Sequence, residues 1–425
     1  MTPPTGPELA LPDGFLMGAS TAAHQVEGNN VASDMWALEH GPEGIVEEPS
    51  GDAADSFHRW PEDMDLLSEL GFNAYRFGIE WARVEPEPGR ISQAALAHYR
   101  AMVRGAVERG LTPVVTLHHF SSPRWFSERG GWREPDAPDL FAAYTRTALE
   151  AVGTDGGHVA TINEPNMMAL MYTLRRLAAE RGRSAMDSGR QDGGAAFDAA
   201  TVEPDARVTD VLIEAHRRSA AILGDAGLRA GWTVANQVYQ AEPGAEEIAA
   251  ACARPREDVF LEAARDDDWI GVQAYTRHRI GADGPLPVPE GAETTLTGWE
   301  VYPEALAEAV LHTSGIVGPR VPVIVTENGI ATGDDARRIA YTRQALSGLA
   351  RVMEQGVDVR GYFHWSALDN YEWGSYRPTF GLIGVDRATF ARTPKPSARW
   401  LGALARSGRI PGPSAPARTV GTAAR

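Results

Sequence analysis

The 425-residue chain has a formal net charge of −17, 43% hydrophobic residues and a single cysteine, Cys252. The acidity excludes the basic footprint of a nucleic-acid partner, and one cysteine excludes an intramolecular disulfide or a cysteine-based metal site. No window approaches the ~20 apolar residues that span a bilayer, and the opening MTPPTGPELALPDGF has neither a basic n-region nor an apolar h-region, so a cytoplasmic protein without a membrane partner is expected.

Along the chain, short β-type runs alternate with longer helical patterns. FLMGAS (15–20) and NAYRFGIEW (73–81) come first. A helix follows, opening on Ser92 as an N-cap and stopping at Gly110. Next are the runs TPVVTLHHF (112–120) and HVATIN (158–163), then a polar, Gly-rich stretch without periodicity at 181–206. The helical pattern DVLIEAHRRSAAILGDAG leads to AGWTVAN (230–236) and DWIGVQAY (268–275), and residues 281–298 read as a loop. VPVIVTE (321–327), a helix over 335–356 and GYFHWSA (361–367) complete the series.

The strand runs are continuously apolar, as in a parallel sheet covered on its outer face. Eight such alternations predict a (β/α)8 TIM barrel. The chain is longer than the roughly 250 residues of a plain barrel, so long βα loops at the C-terminal face must absorb the excess. An open doubly wound sheet is the alternative, but no G-x-G-x-x-G turn follows the first run. With no internal repeat or linker, a single catalytic domain is expected over 11–406. A flexible start (1–10) and a disordered tail (407–425) flank it.

Barrel enzymes carry their reactive groups at the C-terminal strand ends. Here those ends hold Arg76, His118, His119, Asn163, Glu164, Tyr275, Glu327 and Trp365. One glutamate at such a place is most often a solvated loop residue or a cap. Two, accompanied by Arg, His, Asn, Tyr and Trp at sister positions, suit glycoside hydrolysis. There a carboxyl separation of roughly 5–5.5 Å means retention and roughly 6.5–9.5 Å inversion. Metal chemistry is the rival, but His118 and His119 are adjacent and face opposite sides of a strand, and no H-E-x-x-H occurs. Neither a metal nor an organic cofactor is therefore expected. The segment GYFHWSALDNYEWGSYRPTFG adds Trp365, Tyr371, Trp373, Tyr376 and Phe380. Aromatic plates suit the apolar C–H faces of a sugar, although Tyr371 and Tyr376 read more simply as packing at the rim.

The motifs FLMGASTAAHQVEG, YRFGIEWARVEP, TLHHF, TINEPN, WIGVQAYT, VIVTENG and WSALDNYEW, in this order, resemble glycoside hydrolase family 1, the retaining β-glucosidases. The resemblance covers about Leu11 to Leu404. It implies Glu164 as acid/base and Glu327 as nucleophile. It implies that Arg76 and Tyr275 orient Glu327, that Gln25, His119, Asn163, Glu372 and Trp373 hydrogen-bond the sugar, and that Trp365 floors it. Arg76 is expected to lower the pKa of Glu327, whose anion would in turn raise that of Glu164. The retained Glu372–Trp373 pair implies an unphosphorylated sugar.

Gln273, Ala274, Phe120 and His24 depart from the residues usual in the family. So does the stretch after NEP, where Met167, Met168 and Met171 read either as core or as flexible apolar surface for a bulky or amphipathic aglycone. The expected partner is a small-molecule β-glycoside, and the oligomeric state is left open. A transglycosidase would use the same two glutamates. A non-catalytic carbohydrate-binding barrel fits poorly with both of them intact.

Overall fold

The computed structural model describes residues 8–41, 46–180 and 202–412. Eight strands close into a parallel barrel: β1 (Leu16–Ser20), β2 (Ala74–Gly78), β3 (Thr112–His118), β4 (His158–Asn163), β5 (Arg229–Ala235), β6 (Trp269–Gln273), β7 (Val323–Asn328) and β8 (Val359–Trp365). Each coincides with one of the eight apolar runs, and β8 pairs with β1 to complete the ring. The barrel is wrapped by α1 (Ser56–Leu70), α2 (Gln93–Glu108), α3 (Ala137–Val152), α4 (Pro165–Glu180), α5 (Ala206–Asp225), α6 (Ala305–Val317), α7 (Asp335–Glu354) and α8 (Pro396–Ser407). Shorter helices, Glu246–Ala253 and Val259–Ala263, fill the crossover between β5 and β6.

Local chemistry accounts for the helix ends. The Ser92 hydroxyl accepts from the backbone N–H of Ala95 and caps α2. Asp334 does the same for Ala336 and Arg337 at the start of α7. The lower barrel interior is plugged by Leu16, Ala74, Val114, Ala160, Trp269, Ile324 and Phe363. Above this plug the inward residues turn polar, which is where the site begins. The layer is tight: a Cβ on Gly271 would lie 2.4 Å from Thr233 Cγ2 and 2.8 Å from Thr326 Oγ1, so only glycine fits.

Outside the barrel, Glu8–Ala10 pairs antiparallel with Arg409–Pro411. Both ends of this pair lie just beyond the expected domain limits of 11 and 406. The rest of the two termini, 1–7 and 413–425, lies outside the described residues, as do 181–201 of the expected 181–206 loop. The loop reading of 281–298 needs adjustment at its start. There His278–Gly281 and Gly284–Pro285 form a hairpin on Tyr239–Ala241, a three-stranded sheet beside the barrel mouth. Among the described residues no helix is long and apolar enough to cross a membrane.

Candidate active site

Glu164 and Glu327 both arrive at the mouth through an irregularity in their strands. The β4–β5 register shifts between Ala160 and Asn163, and the β7–β6 register between Val325 and Glu327. Such shifts re-aim a side chain at the end of a strand. Glu164 also has φ +45°, in the left-handed region. Its carbonyl accepts from Met168 N–H, so it opens α4, with Pro165 at the first helical position. Phe120 (φ +62°) and Trp373 (φ +48°) are the other left-handed residues at the mouth. Each such non-glycine residue costs about 1–3 kcal/mol, so the surroundings must hold it there.

Arg76, fully buried on β2, organises one side of the site. Its Nη1 donates to Glu327 Oε1 at 2.6 Å, its Nη2 to Asn163 Oδ1 at 2.5 Å and its Nε to Thr116 Oγ1 at 3.1 Å. Tyr275 Oη donates to the other Glu327 oxygen at 2.6 Å. Gln273 Nε2 bridges Glu327 Oε1 at 2.7 Å and Asn163 Oδ1 at 2.8 Å. Thr233 Oγ1 adds a third donor to Asn163 Oδ1 at 2.9 Å. With its oxygen so occupied, the Asn163 amide must point its Nδ2 toward His119 Nε2, 3.2 Å away. The Glu164 carboxyl is half-buried and has no hydrogen-bond partner among the described residues.

Electrostatics follow this asymmetry. Burial pushes the Glu327 carboxyl above its ordinary range, while Arg76 and the Tyr275 hydroxyl pull it back. Arg76 does lower the pKa of Glu327, as expected, but taking the carboxylate out of water outweighs its partners. Glu164 is held well above its ordinary value, first by burial and then by the charge of Glu327, with only Arg76 opposing. Burial thus raises both carboxyls, and Glu164, which lacks donors among the described residues, also feels the charge of Glu327. Burial, with Glu327 and Glu164 nearby, also holds the Tyr275 phenol well above its ordinary value, so it remains a donor.

The remaining expected residues gather across the mouth. Gln25 Nε2 donates to Tyr371 O at 2.7 Å, Asn370 Oδ1 at 3.0 Å and Glu372 Oε2 at 3.3 Å, which leaves its buried Oε1 without a partner. Trp365 Nε1 donates to Glu372 Oε1 at 3.3 Å. Burial pushes Glu372 up to about 8. His119 stacks between Trp365 (5.9 Å) and Trp373 (6.2 Å). His118, by contrast, turns outward to Ser122 and stands edge-on to Trp132. Tyr371 is fully buried and packs against His24 and Tyr376. All ten expected site residues therefore gather in one cluster at the C-terminal end of the barrel.

Two participants, Thr233 and Thr116, went unnoticed; the only signal for them was a polar residue at an inward position of an otherwise apolar strand. Gln273 and His24 were noted only as departures. His24 stacks on Trp373 at 5.8 Å and bonds Glu39 Oε1 through Nε2 at 2.7 Å, with both side chains fully buried. Among the described residues no group of three or more His, Cys, Asp or Glu is arranged to hold a metal ion.

Residues 8–188 and 270–409 match the model of Glycosyl hydrolase family 1. A 1,4-beta-D-glucan glucohydrolase of Thermotoga neapolitana is 30% identical, the match covering 92% of this chain and 97% of that one. A beta-glucosidase of an Agrobacterium species is 31% identical, over 95% of this chain and 97% of its own. Among solved structures, beta-glycosidase BGL167 superposes with a TM-score of 0.84 at 45% identity, covering 96% of this chain and 99% of that one. The Thermotoga maritima beta-glucosidase in complex with noeuromycin gives 0.82 at 27% identity, over 94% and 99%.

Proposed function

Since the chain belongs to glycosyl hydrolase family 1 and is a β-glycosidase, we propose that it is a retaining β-glucosidase working by double displacement on an unphosphorylated β-glucoside. Glu327 attacks the anomeric carbon as the leaving oxygen takes the proton of Glu164. The glycosyl–Glu327 ester has no charge, so the pKa of Glu164 falls and it deprotonates the incoming water. Arg76, Tyr275 and Gln273 hold Glu327 in its attacking orientation. Asn163 offers its amide to the sugar 2-hydroxyl, a contact that strengthens in the transition state. Gln25, His119, Glu372 and Trp373 receive the other hydroxyls over the Trp365 plate. The reading includes a bulky or amphipathic aglycone and a cytoplasmic location, the latter in keeping with a chain that has no disulfide.

The observation that carries this reading is the unequal treatment of the two carboxylates: among the described residues Glu327 accepts from three donors and Glu164 from none. The test is turnover of an aryl β-D-glucoside by the wild type and by Glu164→Ala, with azide added to the variant. A β-glycosyl azide is the expected product. An α-azide would contradict retention, and no rescue would remove Glu164 from the acid/base role.

A further inference from the structure

A cleft beside the mouth holds more unused donors than unused acceptors. Phe120, Trp132, Met168, Tyr172, Arg175 and Asp34 help to line it; its enclosed part is about 10 Å3, room for roughly one water, and the rest opens to solvent. Two of these residues tie it to the active site. Phe120 follows His119 and stands edge-on to Trp373 at 5.1 Å. Met168 lies one turn beyond Glu164 in α4.

The polar inventory of the cleft is one-sided. Trp132 is 1% exposed and its indole N–H has no acceptor. Tyr172 Oη accepts from the Trp132 backbone N–H at 3.0 Å, which leaves its own hydrogen free to be donated. Arg175 is half-buried and its charge acts on Asp34, but its guanidinium makes no hydrogen bond or close ion pair with any described residue. The acidic wall residue, Asp34, is already engaged. Its Oδ1 accepts from Met35 and Ser122 backbone N–H, and its Oδ2 from the Ser127 hydroxyl. The unused capacity is therefore donor-type, and a group that only accepts would meet it. A carboxylate also gains a charge-assisted bond to a guanidinium.

We propose that this cleft binds a carboxylate carried by the aglycone, with Arg175 as its anchor. The inference rests on the glycosidase reading and deepens it. Arg175 lies three helical turns beyond Glu164, roughly 16 Å along the axis, and helical side chains lean back toward the N-terminus. The gap from the leaving oxygen to the guanidinium is then on the order of 10 Å, which suits a rigid aromatic acid passing over Phe120 and Met168.

The test uses the β-glucoside of 4-hydroxycinnamic acid and that of its methyl ester. Wild type should favour the acid in kcat/KM by about tenfold or more. Arg175→Met should collapse that ratio toward one, and Arg175→Lys should keep part of it. A wild-type ratio near one, or a ratio unchanged by Arg175→Met, overturns the proposal while leaving the glycosidase reading intact. If wild type cleaves neither compound nor a simple aryl β-D-glucoside, the β-glucosidase reading fails. Calorimetric titration of the free acid and its ester then tests the cleft alone, with equal binding of the two by wild type counting against it.

Discussion

The ends of β4 and β7 share a plan and differ in finish. Each bends its register just before delivering a glutamate to the mouth. At β7 the carboxylate is gripped by Arg76, Gln273 and Tyr275. At β4 the grip falls instead on the preceding Asn163, whose oxygen takes Arg76, Gln273 and Thr233, and Glu164 has no partner among the described residues. One guanidinium and one amide thus serve both strands and still produce opposite results. On the proposed mechanism, the carboxylate that attacks is the one fixed by donors, and the one that passes a proton in both directions is the one left unencumbered. The lesson is that role follows from the donors a side chain receives more than from the strand that carries it.

Removing the gripped carboxylate should break this contrast most severely. Glu327→Gln should lower kcat on aryl glucosides by ~10⁴-fold or more, the scale seen when a nucleophile is deleted. Survival of activity would move the nucleophile elsewhere.

Arg76→Met comes next. It strips a donor from both strand ends and leaves Glu327 with less compensation for its burial, so a loss of roughly 10²–10³-fold in kcat is expected. Its pH profile should also change, with the acid limb of kcat/KM moving to higher pH.

Tyr275→Phe sharpens the same point with one atom. The lost hydrogen bond favoured the charged form of Glu327, so its pKa rises and the acid limb again moves up, by less than in Arg76→Met. An unmoved acid limb would mean that Tyr275 does not set the ionisation of Glu327. Glu164→Gln should instead erase the alkaline limb and leave the acid limb in place.

The smallest effect is expected from Gln273→Asn. One methylene shorter, the amide reaches one of its two partners, and kcat/KM should fall by less than about tenfold. A larger fall would make the bridge between Asn163 and Glu327 the main orienting contact.

The barrel was legible in the sequence because parallel strands buried on both faces are continuously apolar, as VPVIVTE and HVATIN are. The site was legible because residues such as Arg76, Asn163 and Tyr275 are out of place at the ends of such runs. Gln273 drew notice only as a departure, since its double contact depends on the β6–β7 register that sets it opposite Glu327. Thr116 and Thr233 are ordinary strand residues until Arg76 and Asn163 need them. The raised pKa of Glu327 needed a burial that charge pairing alone does not reveal. The pairing of Glu8–Ala10 with Arg409–Pro411 joins the two ends of the chain through strands too short to leave a pattern.

Helix α4 begins directly after Glu164, and a helix start carries a partial positive charge from its unpaired N–H groups. In the free enzyme that field is overruled by burial and by the neighbouring anion. Once the proposed glycosyl ester has formed, the neighbouring anion is gone and the field remains, ready to favour the Glu164 carboxylate. The same residue can then turn from proton source to proton sink with no moving part, because the counter-charge for its second state is built into the backbone from the outset.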